Sequence, residues 1–341
     1  MYNQMRWPQN AVLLILLFAS LASAQSDFTI APFLGRWALY LPNGAGWLEV
    51  RQENGYLDAD MMWYGGSVVP VDNVYLDGDK LIVTRNSQAV RMKNAAGEAT
   101  RTQTITTLLV FSLYGELLVG ENCEPNRNGI GKRTTKFTGV KIPSLPPKPD
   151  LTKLKLGKPL TLFNGKDLTG WTLVNLNDKN GWRAEQGTLI NDPVQKEGEH
   201  HINYGNLKTE KTFEDFNLKI DVNVPKGDNS GIYLRGIYEV QVYDSYGKPL
   251  DSHNMGAIYS RIAPAVSAEK PAGEWQTFDI TLCDRHVNVV LNGKTIIANQ
   301  PIFGVTGGAL TADEFSPGPI YLQGDHGHVM YRNIVLTPII K

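Results

Sequence analysis

The chain has 341 residues, 42% of them hydrophobic and 20% charged, with 33 basic residues against 34 acidic ones. That length supports two cores and that hydrophobicity excludes a disordered chain. The formal net charge of −1 argues against nucleic acid, which wants clustered Lys and Arg on a domain of high pI, so no nucleic-acid partner is expected.

In chain order, Arg6 precedes an apolar run from Ala11 to Leu21, and Ala22-Ser23-Ala24 supply a small-residue cleavage site. These are the three parts of a secretory signal over residues 1–24, which predicts an exported protein, periplasmic or extracellular. Its loss would remove Arg6 and leave a net charge of about −2. The run is too short to cross a bilayer, and no later stretch reaches the ~20 apolar residues that a membrane helix needs.

Residues 28–142 alternate apolar and polar positions in short runs separated by turns such as Leu76-Asp77-Gly78-Asp79, so a small antiparallel β domain is expected. Its opening Gly35-Arg36-Trp37 is similar to the first strand of lipocalin-like barrels, which makes a barrel-like accessory the expectation; no chemistry is assigned to it. Four prolines in Pro143-Ser144-Leu145-Pro146-Pro147-Lys148-Pro149 forbid a β-ladder, and a linker is placed at 143–159. Cys123 and Cys283, on either side of it, read as unpaired thiols.

From residue 160 to 341 strands recur between Gly, Asn and Asp turns, including an Asn292-Gly293 hairpin, and seven or more at this spacing predict a sandwich or jelly roll. The whole chain is therefore expected to be all-β. Within this half, residues 229–244 place Arg235, Glu239, Gln241 and Asp244 on or beside two strands that otherwise read as buried. Buried polar groups are costly unless paired or facing a ligand. Alternation puts Glu239, Gln241 and Tyr243 on one face of their strand and Val240 and Val242 on the other. It groups Asn229, Gly231, Tyr233 and Arg235 on the preceding strand, with Gly231 leaving room for a ligand. Tyr233, Tyr243 and Tyr259 are candidates for the wall of a sugar site, and Gln323, closing the strand from Pro319, is a further substrate-binding candidate. Trp171, Trp182 and Trp275 read as structural. His253 is a loop residue with no partner identifiable in the sequence.

Several segments in this half carry a resemblance: Leu162-Phe163-Asn164-Gly165-Lys166-Asp167-Leu168-Thr169-Gly170-Trp171, Asn229-Ser230-Gly231-Ile232-Tyr233-Leu234-Arg235, Tyr238-Glu239-Val240-Gln241, Gly256-Ala257-Ile258-Tyr259, Glu274-Trp275, Leu291-Asn292-Gly293 and Gly318 through Asn333. Together they resemble the 3-keto-disaccharide hydrolase domain family over residues 160–341. The resemblance implies a concanavalin A-like jelly roll acting on glycosides whose sugar carries a ketone at carbon 3. Such a ketone acidifies the hydrogen at carbon 2, so one base can start an elimination at carbon 1 that water later completes. On that reading Glu239 is the candidate base or metal ligand and Arg235 stabilises the oxyanion. Asp244 and His326 are candidate acid, base or ligand.

Glu239-x-Gln241-x-x-Asp244 also has the spacing of the Glu-x-Asp-x-x-Glu motif of family 16 glycoside hydrolases, with an amide at the centre and a shorter last residue. A retaining pair stands about 5 to 5.5 Å apart, and Asp in place of Glu widens the gap. A divalent metal ion is a candidate cofactor through Gly324-Asp325-His326-Gly327-His328, whose Asp and His side chains are plausible ligands. The alternatives to the elimination are a noncatalytic carbohydrate-binding module and a retaining glycosidase. All three share carbohydrate as the partner.

Overall fold

Trp37, Leu39 and Leu41 point to one side of the Gly35–Leu41 strand and enter a core with Leu48, Met61, Phe111 and Phe137; Ala38 and Tyr40 point to the other side. That period-2 pattern builds an all-antiparallel nine-stranded sheet. Its order is Val69–Pro70, Leu57–Trp63, Gly44–Gln52, Gly35–Leu41, Lys132–Lys141, Leu117–Pro125, Ala99–Tyr114, Lys80–Lys93 and Asn73–Asp77. Its two edge strands are joined through Val71 and Asp72, so the sheet curls back on itself into a half-barrel around that core. The computed structural model describes residues 29–195 and 200–340. The secretory signal expected over residues 1–24 lies outside the described residues.

The second half forms two facing sheets. One carries, in order, Trp182–Glu185, Thr188–Asn191, Val329–Ile340, Phe216–Asn223, Trp275–Cys283, His286–Leu291 and Lys294–Pro301, with the short Lys155–Leu156 and Leu160–Thr161 strands also on Val329–Ile340. The other carries Trp171–Leu173, Leu207–Thr209, Tyr321–Leu322, Asn229–Leu234 and Tyr238–Tyr243. Leu218, Ile220, Phe278 and Leu336 meet Ile232, Val240, Val242 and Leu322 between them, so the protein is an all-β jelly-roll sandwich preceded by the curled sheet. The Asn292-Gly293 turn forms as expected: both residues have positive φ, and Leu291 pairs with Lys294 across it.

The curled sheet is not isolated from the sandwich. Ala38, Ala45, Trp47 and Met62, on its outer face, belong to the sandwich core cluster, and the Arg261 guanidinium lies 4.5 Å from the Trp47 ring centroid. The proline-rich segment is fixed along the sandwich as well: Arg285 Nη2 donates to Pro143 O and Ser144 O, and Asn299 Nδ2 to Pro149 O. Cys123 and Cys283 form no disulfide.

Candidate active site

Asn229–Leu234 and Tyr238–Tyr243 pair antiparallel, with Tyr233 opposite Glu239 and Gly231 opposite Gln241. Ile232, Val240 and Val242 fill the core, so Tyr233, Glu239 and Gln241 face the opposite side. There they meet a cavity of about 180 Å³, lined also by Gly65, Asn229, Tyr259, Gly307, Gly308, Gln323 and His326. This is below the about 300 to 1,000 Å³ of sites for drug-sized ligands. A larger hollow of about 820 Å³ lies under the curled sheet beside Trp37, Leu113 and Ile142, but Glu116 and Lys141 are its charged lining groups and it gathers no constellation suited to catalysis.

Glu239 sits at the floor of the smaller cavity, 4% exposed. The Tyr233 hydroxyl is 2.9 Å from its Oε2 and 2.8 Å from Gly307 O, and the Gln241 amide, assigned with its nitrogen facing these acceptors, donates to Oε1 at 3.2 Å and to Ser230 O at 3.0 Å. Tyr321 stacks on Tyr233 with ring centroids 4.1 Å apart. Burial pushes the Glu239 carboxyl up to about 8, with the Tyr233 hydrogen bond pulling the other way. Burial likewise drives the Tyr233 phenol well above its ordinary range, reinforced by the neighbouring Glu239. Burial pushes the His326 imidazole below its ordinary range, against the opposing pull of Asp325.

Six of the residues picked from the sequence therefore line one cavity: Glu239, Gln241, Tyr233, Tyr259, Gln323 and His326. Gly231 serves differently from its expected role. The space above it is filled by the Glu239 side chain, and a Cβ there would lie 2.3 Å from Glu239 Oε1.

Arg235, Asp244 and Tyr243 do not line the cavity. The strand ends at Leu234, and Arg235 adopts φ +54° in the turn that follows, which breaks the alternation and turns its side chain away from the Tyr233 face. Arg235 is buried with its Nη2 donating to the carbonyls of Glu314 and Ser316, so it is not at hand for an oxyanion in the cavity. Asp244 lies beyond the end of its strand, where its Oδ2 accepts from Gly227 N. Tyr243 shares the Glu239 face but sits two residues past Gln241, under Lys248, whose Nζ donates to its hydroxyl at 2.6 Å.

The histidine-rich turn divides in the same way. His326 lines the cavity, His328 Nδ1 faces Asp192 Oδ1 at 3.3 Å, and Asp325 pairs with His201 at 2.9 Å. These side chains do not converge on one metal position. Among the described residues, the group of three close enough to share an ion is Asp215, Cys283 and Asp284, none of which lines the cavity. Trp171 and Trp182 are in the core as expected, and Arg332 covers Trp275.

Two features of the site were not foreseen. The curled sheet, assigned no chemistry, contributes Gly65 to the cavity wall from the loop between its Leu57–Trp63 and Val69–Pro70 strands. This loop is pinned at both ends: Gly308 N donates to Tyr64 O at 3.2 Å and Val68 N to Ser260 Oγ at 2.9 Å. The close approach depends on Gly307, where a Cβ would lie 2.5 Å from Gly66 O. The adjacent glycines at 65 and 66 are a sequence signal for such an approach, but nothing local names its target. His253, without a partner in the sequence reading, meets Asp251, Ser67 and the Tyr259 ring in space, with Ser252 Oγ 3.5 Å from its Nδ1.

Comparison with known proteins finds no match among curated proteins. Among solved structures, a candidate glycosyl hydrolase from Parabacteroides distasonis is 23% identical at a TM-score of 0.44, covering 53% of this chain and 94% of its own. A second from the same organism is 28% identical at 0.43, covering 57% and 93%. The family 16 endo-beta-1,3(4)-glucanase SCLam is 12% identical at 0.35, covering 57% and 92%. A family model for the 3-keto-alpha-glucoside-1,2-lyase-like domain matches residues 158–337, more than half of the chain and every sandwich residue that lines the cavity. The chain thus belongs to the 3-keto-alpha-glucoside-1,2-lyase-like domain family, a family of carbohydrate-active enzymes.

Proposed function

We propose that the cavity cleaves 3-keto-glycosides by removing the hydrogen from carbon 2 and eliminating the glycosidic oxygen from carbon 1. The observation that carries this reading is a lone carboxyl: among the described lining residues Glu239 is the sole acid, and burial brings its pKa to about 8. Retaining glycosidases need a second carboxyl about 5 to 5.5 Å away and inverting ones about 6.5 to 9.5 Å away. Enolisation beside a ketone needs a single base, and a base whose pKa lies near the working pH is both ionised in useful amount and strong.

In this scheme Glu239 takes the proton from carbon 2, and the C–H electron pair moves toward the ketone to give an enediolate. Its collapse breaks the bond from carbon 1 to the glycosidic oxygen and leaves an enone, to which water adds. Asn229, Gln323 and the Tyr259 hydroxyl supply neutral donors for the oxygen that gains charge. The departing oxygen takes its proton from the carboxylic acid that Glu239 has become, which restores the base, and the His326 ring N–H can hydrogen-bond to that oxygen as it leaves. Export of the enzyme is part of the proposal, supported by the order of basic, apolar and small residues in 1–24; N-terminal sequencing of exported protein should begin at Gln25, and an intact Met1 would contradict it.

Parallel assays on an oxidised disaccharide and its unoxidised parent test the reaction. Cleavage is expected for the oxidised sugar alone, with deuterium at carbon 2 lost to solvent and kcat/KM rising with pH to a plateau above about 8. Equal cleavage of the parent, or full retention of the label in product, would overturn the mechanism. A binding module would retain the sugar and release no product.

A further inference from the structure

Beside the cavity, Ser67 from the curled sheet joins Asp251 and His253, two residues apart on one sandwich loop, in one hydrogen-bonded chain. The Asp251 carboxylate accepts from His253: its Oδ1 is 2.6 Å from the ring Nδ1 and 2.9 Å from the backbone N. On the other side of the ring, His253 Nε2 lies 3.0 Å from Ser67 Oγ. With the Nδ1 proton directed at Asp251, Nε2 is left as the acceptor for the Ser67 hydroxyl proton. Nucleophile, base and orienting carboxylate are thus in hydrogen-bond reach in the order that acyl transfer uses.

The geometry is fixed from several sides. The His253 ring stands edge-on to Tyr259, 4.9 Å between centroids at 88°, and the Ser67 loop is pinned by the bonds from Val68 N to Ser260 Oγ and from Gly308 N to Tyr64 O. The Tyr259 hydroxyl lies 3.5 Å from Ser67 Oγ, near enough to donate to an oxyanion formed on a carbonyl carbon attacked there. Ser67 is half-buried beside exposed Gly65 and Gly66, so a substrate can reach it. The hydrogen bond from His253 holds the Asp251 carboxyl below its ordinary range.

We propose that Ser67, His253 and Asp251 form a second catalytic centre, a serine esterase that removes acyl groups from carbohydrate hydroxyls at the mouth of the sugar cavity. Ser67 Oγ bonds to the acyl carbon while its proton passes to His253 Nε2. The tetrahedral intermediate collapses, the acyl–oxygen bond breaks, and the sugar oxygen leaves with that proton. Water then attacks the acyl-serine, giving a proton to His253, and Ser67 departs with it as the carboxylic acid is released. The net reaction is ester plus water to acid plus alcohol. Tyr259 contributes to both centres, and a cavity of about 180 Å³ gives the esterase a purpose, because an acylated ring is larger than the free sugar it admits. The sugar-ester assignment rests on reading that cavity as a sugar site; the nucleophile itself does not.

The full-length protein treated with a fluorophosphonate should become labelled on the peptide containing Ser67, and it should hydrolyse p-nitrophenyl acetate with a burst. Ser67→Ala should abolish the label, and His253→Gln should slow both reactions at least about 10²-fold. Melting curves of both variants report whether they fold. If Ser67→Ala does not fold, His253→Gln carries the test, since its own substitution leaves the serine in place. Labelling or ester cleavage that persists in the folded variants, or its absence in the wild type, overturns the esterase. Cleavage of p-nitrophenyl acetate through Ser67 with no action on an O-acetylated glucoside overturns the carbohydrate-ester assignment. Neither readout uses an oxidised sugar, so failure of the keto-glycoside reaction is scored separately.

Discussion

Glu239→Gln should lower kcat/KM for a 3-keto-glycoside by about 10² to 10⁴-fold, the usual contribution of a general base. The amide keeps the shape of the side chain and a partner for the Tyr233 hydroxyl, so the fold should persist. At alkaline pH the variant should be more stable than the wild type. The carboxyl titrates at about 8 when folded against an ordinary value of 4.5, so the unfolded chain gives up this proton first. Stability from this group is therefore present below pH ~4.5 and is lost as pH rises through about 8, a change on the order of 5 kcal/mol. The variant lacks that loss. Melting the two proteins at pH 5 and pH 9 should show the wild type falling relative to Glu239→Gln. Wild-type turnover by the variant would remove Glu239 from the chemistry.

Trp47→Ala should destabilise the protein by about 3 to 5 kcal/mol, lower its melting temperature by roughly 10 °C, and reduce activity with it. Trp47 is buried where the curled sheet meets the sandwich, and a Cβ on Gly304 would lie 2.2 Å from its Nε1. The Arg261 guanidinium over its ring also donates to the carbonyls of Phe303 and Val305, at the start of the segment that continues to the cavity-lining Gly307 and Gly308. Removing the indole takes away the packing beneath Arg261 and loosens that wall. A variant that melts and turns over like the wild type would mean that the curled sheet neither supports the sandwich nor shapes the cavity.

The family segments, the all-β class and six cavity residues were legible because each depends on local rules. Strand alternation alone puts Glu239 and Gln241 on the face opposite Val240 and Val242 and groups Tyr233 with Gly231 on its own strand; the pairing that sets Tyr233 across from Glu239 came with the fold. The same rule failed at Arg235 because it holds only while φ and ψ stay extended, and the chain leaves the strand one residue earlier. It fell short at Tyr243 because alternation gives a direction but not a distance: with about 3.3 Å of rise per residue, each step along the strand moves the side chain further from the cavity. Asp244 came from motif spacing rather than alternation, and it lies past the strand end at Tyr243.

The sequence by itself determined which residues could be buried, which way strand side chains point, and that a carboxyl lies among apolar neighbours. Tertiary structure alone decided that Gly65 walls the cavity, that the space over Gly231 holds Glu239 itself, and that Ser67 meets a histidine 186 positions away. The reason is physical. Periodicity is a property of neighbouring residues, whereas a contact between distant loops exists only once two sheets have packed and their buried anchors, Trp47 foremost, have set the distance between them.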